Sequence, residues 1–212
     1  MKNLDDVKET SISELLDYLC EEKVEEKKPT ISVTEDTLEE FLNGDYAQQV
    51  KAVQYLINSN LRNYIDVLEM FFTKENCHPM LLSDVLEACI DQQIMHEFKI
   101  NKNGYEMYFI PHYLEMPNDQ DGVQEALEYL SHWFKTKEPI FYQMCEEMLL
   151  QEAYLQLPLM WEEGDGLEVA LSIAKYVYQS WNRMDEFDLL CEKEDVKGIK
   201  LLDLMVETIE FE

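Results

Sequence analysis

Two stretches of this chain follow one plan, and that plan restricts the fold more than anything else in the sequence. From Leu68 the chain reads LEMFFTKENCHPMLLSDVLEACI, and from Leu130 it reads LSHWFKTKEPIFYQMCEEMLL. Leu68 matches Leu130, Phe71 matches Trp133 and Phe72 matches Phe134; a short charged connector follows in each copy, then Pro79 or Pro139. Beyond each proline, offsets 1, 2, 3, 6, 9, 10 and 11 are apolar in both copies, which traces one face of a helix. The prolines suit a first helical turn, where no backbone donor is needed. The unit is therefore helix, connector, proline, helix. Two such helix pairs are expected to stack side by side over a shared core, as in an α-solenoid.

The first connector also holds the most conspicuous chemistry, Cys77 beside His78. The pair reads as a nucleophile with its base, half of a metal site, or a joint between helices. The second copy keeps its place in the repeat with Lys137-Glu138 instead, so the joint is the favoured reading. The alternative is a reactive Cys77, because a helix N-terminus and a neighbouring imidazole both favour thiolate.

Helical periodicity runs through most of the remaining chain. Tyr46, Val50, Val53 and Ile57 form one stripe; Leu61, Tyr64, Ile65, Leu68, Phe71 and Phe72 form another; Leu82, Val85, Leu86 and Cys89 a third. Further helices are expected over 123–135, 139–155 and 166–181, the last with Leu167, Leu171, Ala174, Tyr178 and Trp181 along one side. Six Gly and six Pro fall mainly where the pattern breaks. The exception is FKINKNGYEMYFI, 98–110, which alternates around Asn103-Gly104, a pair suited to a type I′ turn. That turn pairs Lys102 with Tyr105, Ile100 with Met107 and Phe98 with Phe109. Phe98, Ile100, Met107 and Phe109 then share one face, with Lys99 and Glu106 on the other. A lone hairpin is marginal in water, so this face must be covered. Cover by the chain's own helices is the favoured reading; pairing of a projecting hairpin with a partner strand or a second copy is the alternative.

Three regions follow. Residues 1–30 form a weakly attached segment, with a short capped helix near Ser11 and Glu14 and then the charge run EEKVEEKKP; a second capping box spans Ser32 and Glu35. Residues 31–181 form the helical-repeat domain, with the hairpin at 96–110. Residues 182–212 are acidic yet contain Leu189, Leu190, Leu201, Leu202, Leu204, Met205 and Ile209, so this segment is expected to pack back as a capping helix.

Composition limits the function classes. Apolar residues make up 46% of the chain, too many for a disordered polymer. Asp and Glu number 45 against 17 Lys and Arg, a formal charge of −28 that repels nucleic acid and anionic membranes. The acidity reads first as solubility, and beyond that as a surface for a basic protein or an imitation of nucleic acid. Five scattered cysteines without a Cys-x-x-Cys pair imply no disulfide framework and a reducing compartment. The first residues do not resemble a signal peptide and no apolar run spans a bilayer, so a cytoplasmic protein is expected.

One region carries a resemblance. FIPHYLEMPND followed by TKEPIFYQMCEEMLLQEAYLQLPLMWEE resembles the C-terminal region of uncharacterised tetratricopeptide-like proteins of Gram-positive bacteria. The matching positions are Pro111, Leu114, Pro117, Pro139, Tyr154, Leu155, Leu157 and Pro158, within a region covering 60–181. The resemblance implies an αα-superhelix with a binding role and brings no chemistry with it. The full tetratricopeptide signature is absent, so the chain looks like a shortened relative, closer in style to HEAT-type pairs.

Motifs for catalysis are missing. His78, His96, His112 and His132 lack metal-ligand spacing, no glycine-rich phosphate loop or Gly-x-Ser-x-Gly occurs, and adjacent carboxylates are too abundant to single out a dyad. No cofactor is expected. Tyr178 and Trp181 read as core or interface packing ahead of a ligand cage. Eleven methionines, Met144 and Met148 among them, suit core filling more than an adaptable groove. The expectation is an all-α fold, an αα-superhelix of stacked antiparallel helix pairs with one inserted β-hairpin. It serves as a non-catalytic scaffold for protein–protein interaction. Candidate contact residues are Phe98, Ile100, Met107, Phe109, Tyr178 and Trp181. The partner is another protein, with a basic one and a second copy both left open. The rival is an acidic nucleic-acid mimic occupying a basic nucleic-acid-binding protein.

Overall fold

The computed structural model describes residues 35–74, 77–102 and 104–207. The expectations for residues 1–30, for the cap at Ser32 and for Asn103 lie outside the described residues. The chain divides into two compact units, Met1–Thr37 and Leu38–Glu212, and the described residues from Leu38 onward all belong to the second.

The described chain is mostly helical with one small antiparallel sheet. Helices α1 (Glu35–Leu42), α2 (Tyr46–Ile57), α3 (Ile65–Phe72) and α4 (Pro79–Asp91) precede the hairpin β1 (Phe98–Lys102) and β2 (Tyr105–Phe109). Helices α5 (Asp121–Phe134), α6 (Pro139–Gln156), α7 (Gly166–Ser180) and α8 (Met184–Lys193) follow. Local chemistry sets the boundaries. Asp45 and Gln48 form a capping box at the start of α2, each side chain accepting from the other's backbone N–H at 2.9 and 3.0 Å. Pro79 and Pro139 occupy the first positions of α4 and α6, as their missing donors allow.

Helix α7 is the centre of the larger core. Val169, Ala170, Leu171, Ile173, Ala174, Val177 and Tyr178 are all buried, so this helix is covered nearly all round by α5, α6 and α8. The single stripe expected from periodicity understates it, because a central helix has no solvent face to keep polar. Two glycines permit the close approach of α5 to the start of α7 and to the loop before it. A Cβ on Gly166 would lie 2.3 Å from Cβ of Glu125, and one on Gly122 would lie 2.6 Å from Cβ of Trp161.

The hairpin has the expected register, Phe98 opposite Phe109, Ile100 opposite Met107 and Lys102 opposite Tyr105. Its apolar face is packed on α3. Phe98 and Ile100 have no solvent exposure, and the Phe72 ring lies 5.1 Å from Phe98 and 5.4 Å from Phe109. Period two carries Lys102 onto the same buried face. Its ammonium donates to the carbonyls of Leu155, at 2.5 Å, and of Leu157, the end of α6. Helix C-termini leave such carbonyls without partners and carry partial negative charge, so a lysine there satisfies both.

The two repeat copies share their buried positions but not their neighbours. Leu68, Phe71 and Phe72 are buried, as are Leu130, Trp133 and Phe134. In the second copy α5 and α6 pack along each other, whereas in the first α3 lies against β1 and α4 against α2. The hairpin takes the aromatic face of α3 that would otherwise meet α4. Two further expectations need correction. In α2 the buried residues are Ala52, Val53 and Leu56, with Tyr46 exposed, because α4 meets a face rotated from the expected stripe. The run 61–72 is broken into a 3₁₀ turn, Leu61–Asn63, capped by the Asn60 side chain, and α3.

Candidate docking surface

The structure separates the six residues proposed for contact. Phe98, Ile100 and Phe109 face this chain's own core, with Met107 half-buried beside them, so the chain itself covers most of the apolar face of the hairpin. The outer face of the hairpin carries Tyr108, exposed, and the ion pair Lys99–Glu106 at 2.6 Å.

Tyr178 and Trp181 do form an aromatic cage, and the chain fills it itself. The Arg183 guanidinium carbon lies 5.6, 5.5 and 5.7 Å from the ring centroids of Phe141, Tyr178 and Trp181. Its nitrogens also donate to Glu138 at 2.7 Å and to both oxygens of Glu186 at 2.6 and 2.5 Å. These bonds hold the Glu186 carboxyl below the usual range. Burial, reinforced by the Glu138 carboxylate, pushes the Tyr178 phenol up to about 12. The cage is a staple joining the start of α6, the end of α7 and the start of α8.

The Cys77–His78 connector has the geometry of a joint. His78 caps α4, its Nδ1 accepting the Met80 N–H at 3.2 Å, so that nitrogen is not turned to the thiol. Cys77 Sγ instead faces the His78 carbonyl at 3.7 Å. Burial pushes the Cys77 thiol up to about 12, outweighing the Lys74 ammonium that pulls it down. Cys89 and Cys145 are raised to about 12, again by burial first.

Two polar nodes, unforeseen in the sequence, tie distant segments together. Tyr154 on α6 donates its hydroxyl toward Asp84, at 2.6 Å, and Glu87, at 2.9 Å, on α4; burial first and then these carboxylates raise its pKa. The fully buried carboxylate of Glu152 accepts the N–H groups of Met205, at 2.7 Å, and Val206, at 2.9 Å.

Three of the surface hollows are lined by carboxylates. One hollow of about 460 Å³ is bounded by Glu115, Asp121, Glu162 and Glu163 with Met160 and Trp161. A second, of about 380 Å³, is bounded by Glu125, Glu128, Tyr129 and His132. The two adjoin: Asp121, Glu125, Glu128 and His132 fall at steps of four, three and four along α5. Glu125 also accepts the Gly164 N–H at 2.9 Å, next to Glu163. Among the described residues no lysine or arginine lines either hollow. A third, about 550 Å³, lies between α3 and the outer face of the hairpin, lined by Asp66, Glu69 and Glu97 around Lys99 and Tyr108. The α5 stripe was readable from the sequence as a charged helical face, but its contact with loop 161–166 was not.

Among the described residues no group of three or more His, Cys, Asp and Glu is arranged to hold a metal ion, and no helix is long and apolar enough to cross a membrane. Comparison with protein-family models, curated proteins and solved structures finds no match to this chain.

Proposed function

We propose that this protein is a non-catalytic cytoplasmic scaffold, an αα-superhelical repeat in origin, that binds a basic protein through the carboxylate-lined hollows along α5. The observation that carries this reading is the pair of adjoining hollows at Glu115, Asp121, Glu162, Glu163 and Glu128, where partly exposed aromatic and thioether groups alternate with carboxylates and no lysine or arginine among the described residues intervenes. Carboxylates there attract a basic segment from a distance, while Trp161, Met160 and Tyr129 supply apolar contact once it arrives. The recurrence of buried Leu68 and Phe72 as Leu130 and Phe134, with Pro79 and Pro139 each opening the next helix, supports a helix-pair repeat as the scaffold's origin. The high thiol pKa of Cys77 and the capping role of His78 support the absence of chemistry at that joint.

Affinity capture from cell extract, run with the native chain and with a variant carrying Asp121→Lys, Glu162→Lys and Glu163→Lys, tests the reading. These side chains are exposed, so the fold should survive. Basic proteins retained by the native chain at low salt and lost from the variant support it. An identical retained set would refute it. If nucleic acid competes the retained protein away, the partner is a nucleic-acid-binding protein and the chain acts as a mimic of its ligand.

A further inference from the structure

The hairpin buries its apolar face against α3 but leaves one edge open. Helix α3 packs along β1, and among the described residues no helix packs along β2 in the same way. Burial follows suit. In β1, Phe98, Ile100 and Lys102 are buried; in β2, Phe109 is buried, Met107 is half-buried, and Tyr105, Glu106 and Tyr108 are exposed. Tyr105 and Tyr108 are 74% and 62% exposed, so one five-residue strand holds two aromatic side chains in water.

The register decides which backbone groups of β2 are open. Lys102 and Tyr105 flank a two-residue turn, so they can pair only by exchanging both backbone hydrogen bonds with each other. Antiparallel bonding alternates, so Ile100 with Met107 and Phe98 with Phe109 are bonded pairs as well. The N–H and C=O groups of Glu106 and Tyr108 therefore point away from β1, along the outer edge. No proline or bulge interrupts that edge, since the strand reads YEMYF in continuous register. Such an edge can pair with its own copy about a two-fold axis through Met107. Glu106 and Tyr108 then exchange bonds with Tyr108 and Glu106 of the other copy.

The side chains select a second copy as the occupant, because two-fold pairing covers what the chain leaves uncovered. On the inner face, half-buried Met107 meets its counterpart on the axis, and exposed Tyr105 lies opposite Phe109 of the other copy. On the outer face each cross-strand row runs Lys99, Tyr108, Glu106, Asn101, the last two from the other copy. Every such row holds one cation and one anion. The two strands carry Lys99 and Lys102 against Glu106, on a chain of net charge −28. Two acidic copies can therefore meet here without adding to their repulsion. Pairing on a two-fold axis uses one edge twice and closes at two chains.

We propose that the outer edge of β2 is a dimerisation edge, where a second copy of this chain adds its own β2 antiparallel to make a four-stranded sheet. The contact is separate from the α5 hollows and does not depend on what they bind.

Sedimentation equilibrium of the native chain tests the proposal and should show reversible monomer and dimer. A contact through one short strand places this dimer at the weak end of specific interfaces. Tyr108→Glu sets a carboxylate opposite Glu106 of the other copy, twice per dimer, yet opposite Lys99 within its own hairpin. The monomer should keep its circular dichroism while the dimer dissociation constant rises at least tenfold. Adding Glu106→Lys to that variant restores opposite charges across the pair and should return the constant to within about threefold of native. Met107→Cys, on the axis, should form a disulfide-linked dimer in air beyond any formed by the native chain; Glu106→Cys, off the axis, should form far less.

A native chain that stays monomeric up to about 1 mM would overturn the proposal. A dimer indifferent to Tyr108→Glu lies on another surface and would overturn it too. Loss without recovery in the double variant would refute the two-fold register and the edge contact with it. If Tyr108→Glu disturbs the fold, the two cysteine variants decide, and equal cross-linking of both would sink the proposal.

Discussion

Phe72→Ala tests how the hairpin is held and whether the molecule melts as one unit. Phe72 is buried at the C-terminal end of α3, and its ring sits 6.0 Å from Phe71, 5.1 Å from Phe98 and 5.4 Å from Phe109. Truncating a buried phenylalanine to alanine costs about 3–5 kcal/mol in lost transfer energy and residual cavity. The upper end is expected, because both strands of the hairpin rest on this ring and two edge-to-face pairs vanish with it. For a chain of this length, ~4 kcal/mol corresponds to a fall in Tm of roughly 8–16 °C. The tryptophans report on only part of the molecule, since Trp133, Trp161 and Trp181 all follow the hairpin, whereas circular dichroism reports on every helix. Lys102 bonded to the end of α6 and Tyr154 bonded to α4 join the two parts, so both probes should shift together in a urea melt. A loss below about 1 kcal/mol would refute the packing argument, against the 3–5 kcal/mol scale. A shift in circular dichroism without one in tryptophan fluorescence would refute the coupling of the parts.

Phe134→Ala should cost a similar ~3–5 kcal/mol, since its ring meets Phe141 at 4.8 Å and Tyr178 at 5.9 Å; a silent variant would break the equivalence of the two repeat copies. Burial lowers the Lys102 pKa from 10.5 to about 8, with Glu152 pulling the other way, so between those pH values the unfolded chain binds the extra proton. Native stability minus that of Lys102→Met should therefore rise with pH from about 8 to about 10.5, by roughly 3 kcal/mol in full. A flat difference curve would show that the lysine is not held in this way. Cys77→Ser should leave the melt unchanged within ~0.5 kcal/mol, and the native thiol should label slowly at neutral pH, because burial holds it protonated. Fast labelling at Cys77 would revive the reactive reading. Arg183→Gln should cost about 1–2 kcal/mol, as partly exposed cation–π contacts and ion pairs are individually small; a neutral result would mean the cage is held by its rings alone.

How much of the fold and the site was legible depended on how local the signal was. The hairpin register followed from Asn103-Gly104 and strict alternation, both contained within a dozen residues. The burial of Phe72 and Phe134 followed from two copies of one pattern. The burial of Lys102 did not, although the alternation placed it on the apolar face. Its carbonyl partners lie 53 and 55 residues on, and no spacing rule connects them. The same distance hides Glu152, which looks like one of many helix-surface glutamates until the backbone of Met205 and Val206 returns to it. At the aromatic cage the rings were legible and Arg183, two residues past Trp181, was not, because nothing local says which cation will occupy a ring cluster. The buried face of α2 escapes the sequence for a related reason: Tyr46 and Leu56 are both apolar by type, and only the position of α4 decides which is buried.

Binding of a basic protein by the carboxylates along α5 is the central claim, and the salt dependence of binding by a captured partner tests it most directly. Affinity would be measured by titration calorimetry across salt concentrations, for the native chain and for the Asp121→Lys, Glu162→Lys, Glu163→Lys variant. Exposed charges are screened beyond a Debye length of about 10 Å at 0.1 M salt, so attraction through these hollows must weaken as salt rises. The expected result is a steep loss of affinity with salt for the native chain, with the variant binding more weakly and nearly independently of salt. Equal affinity for both proteins with no salt dependence would contradict it.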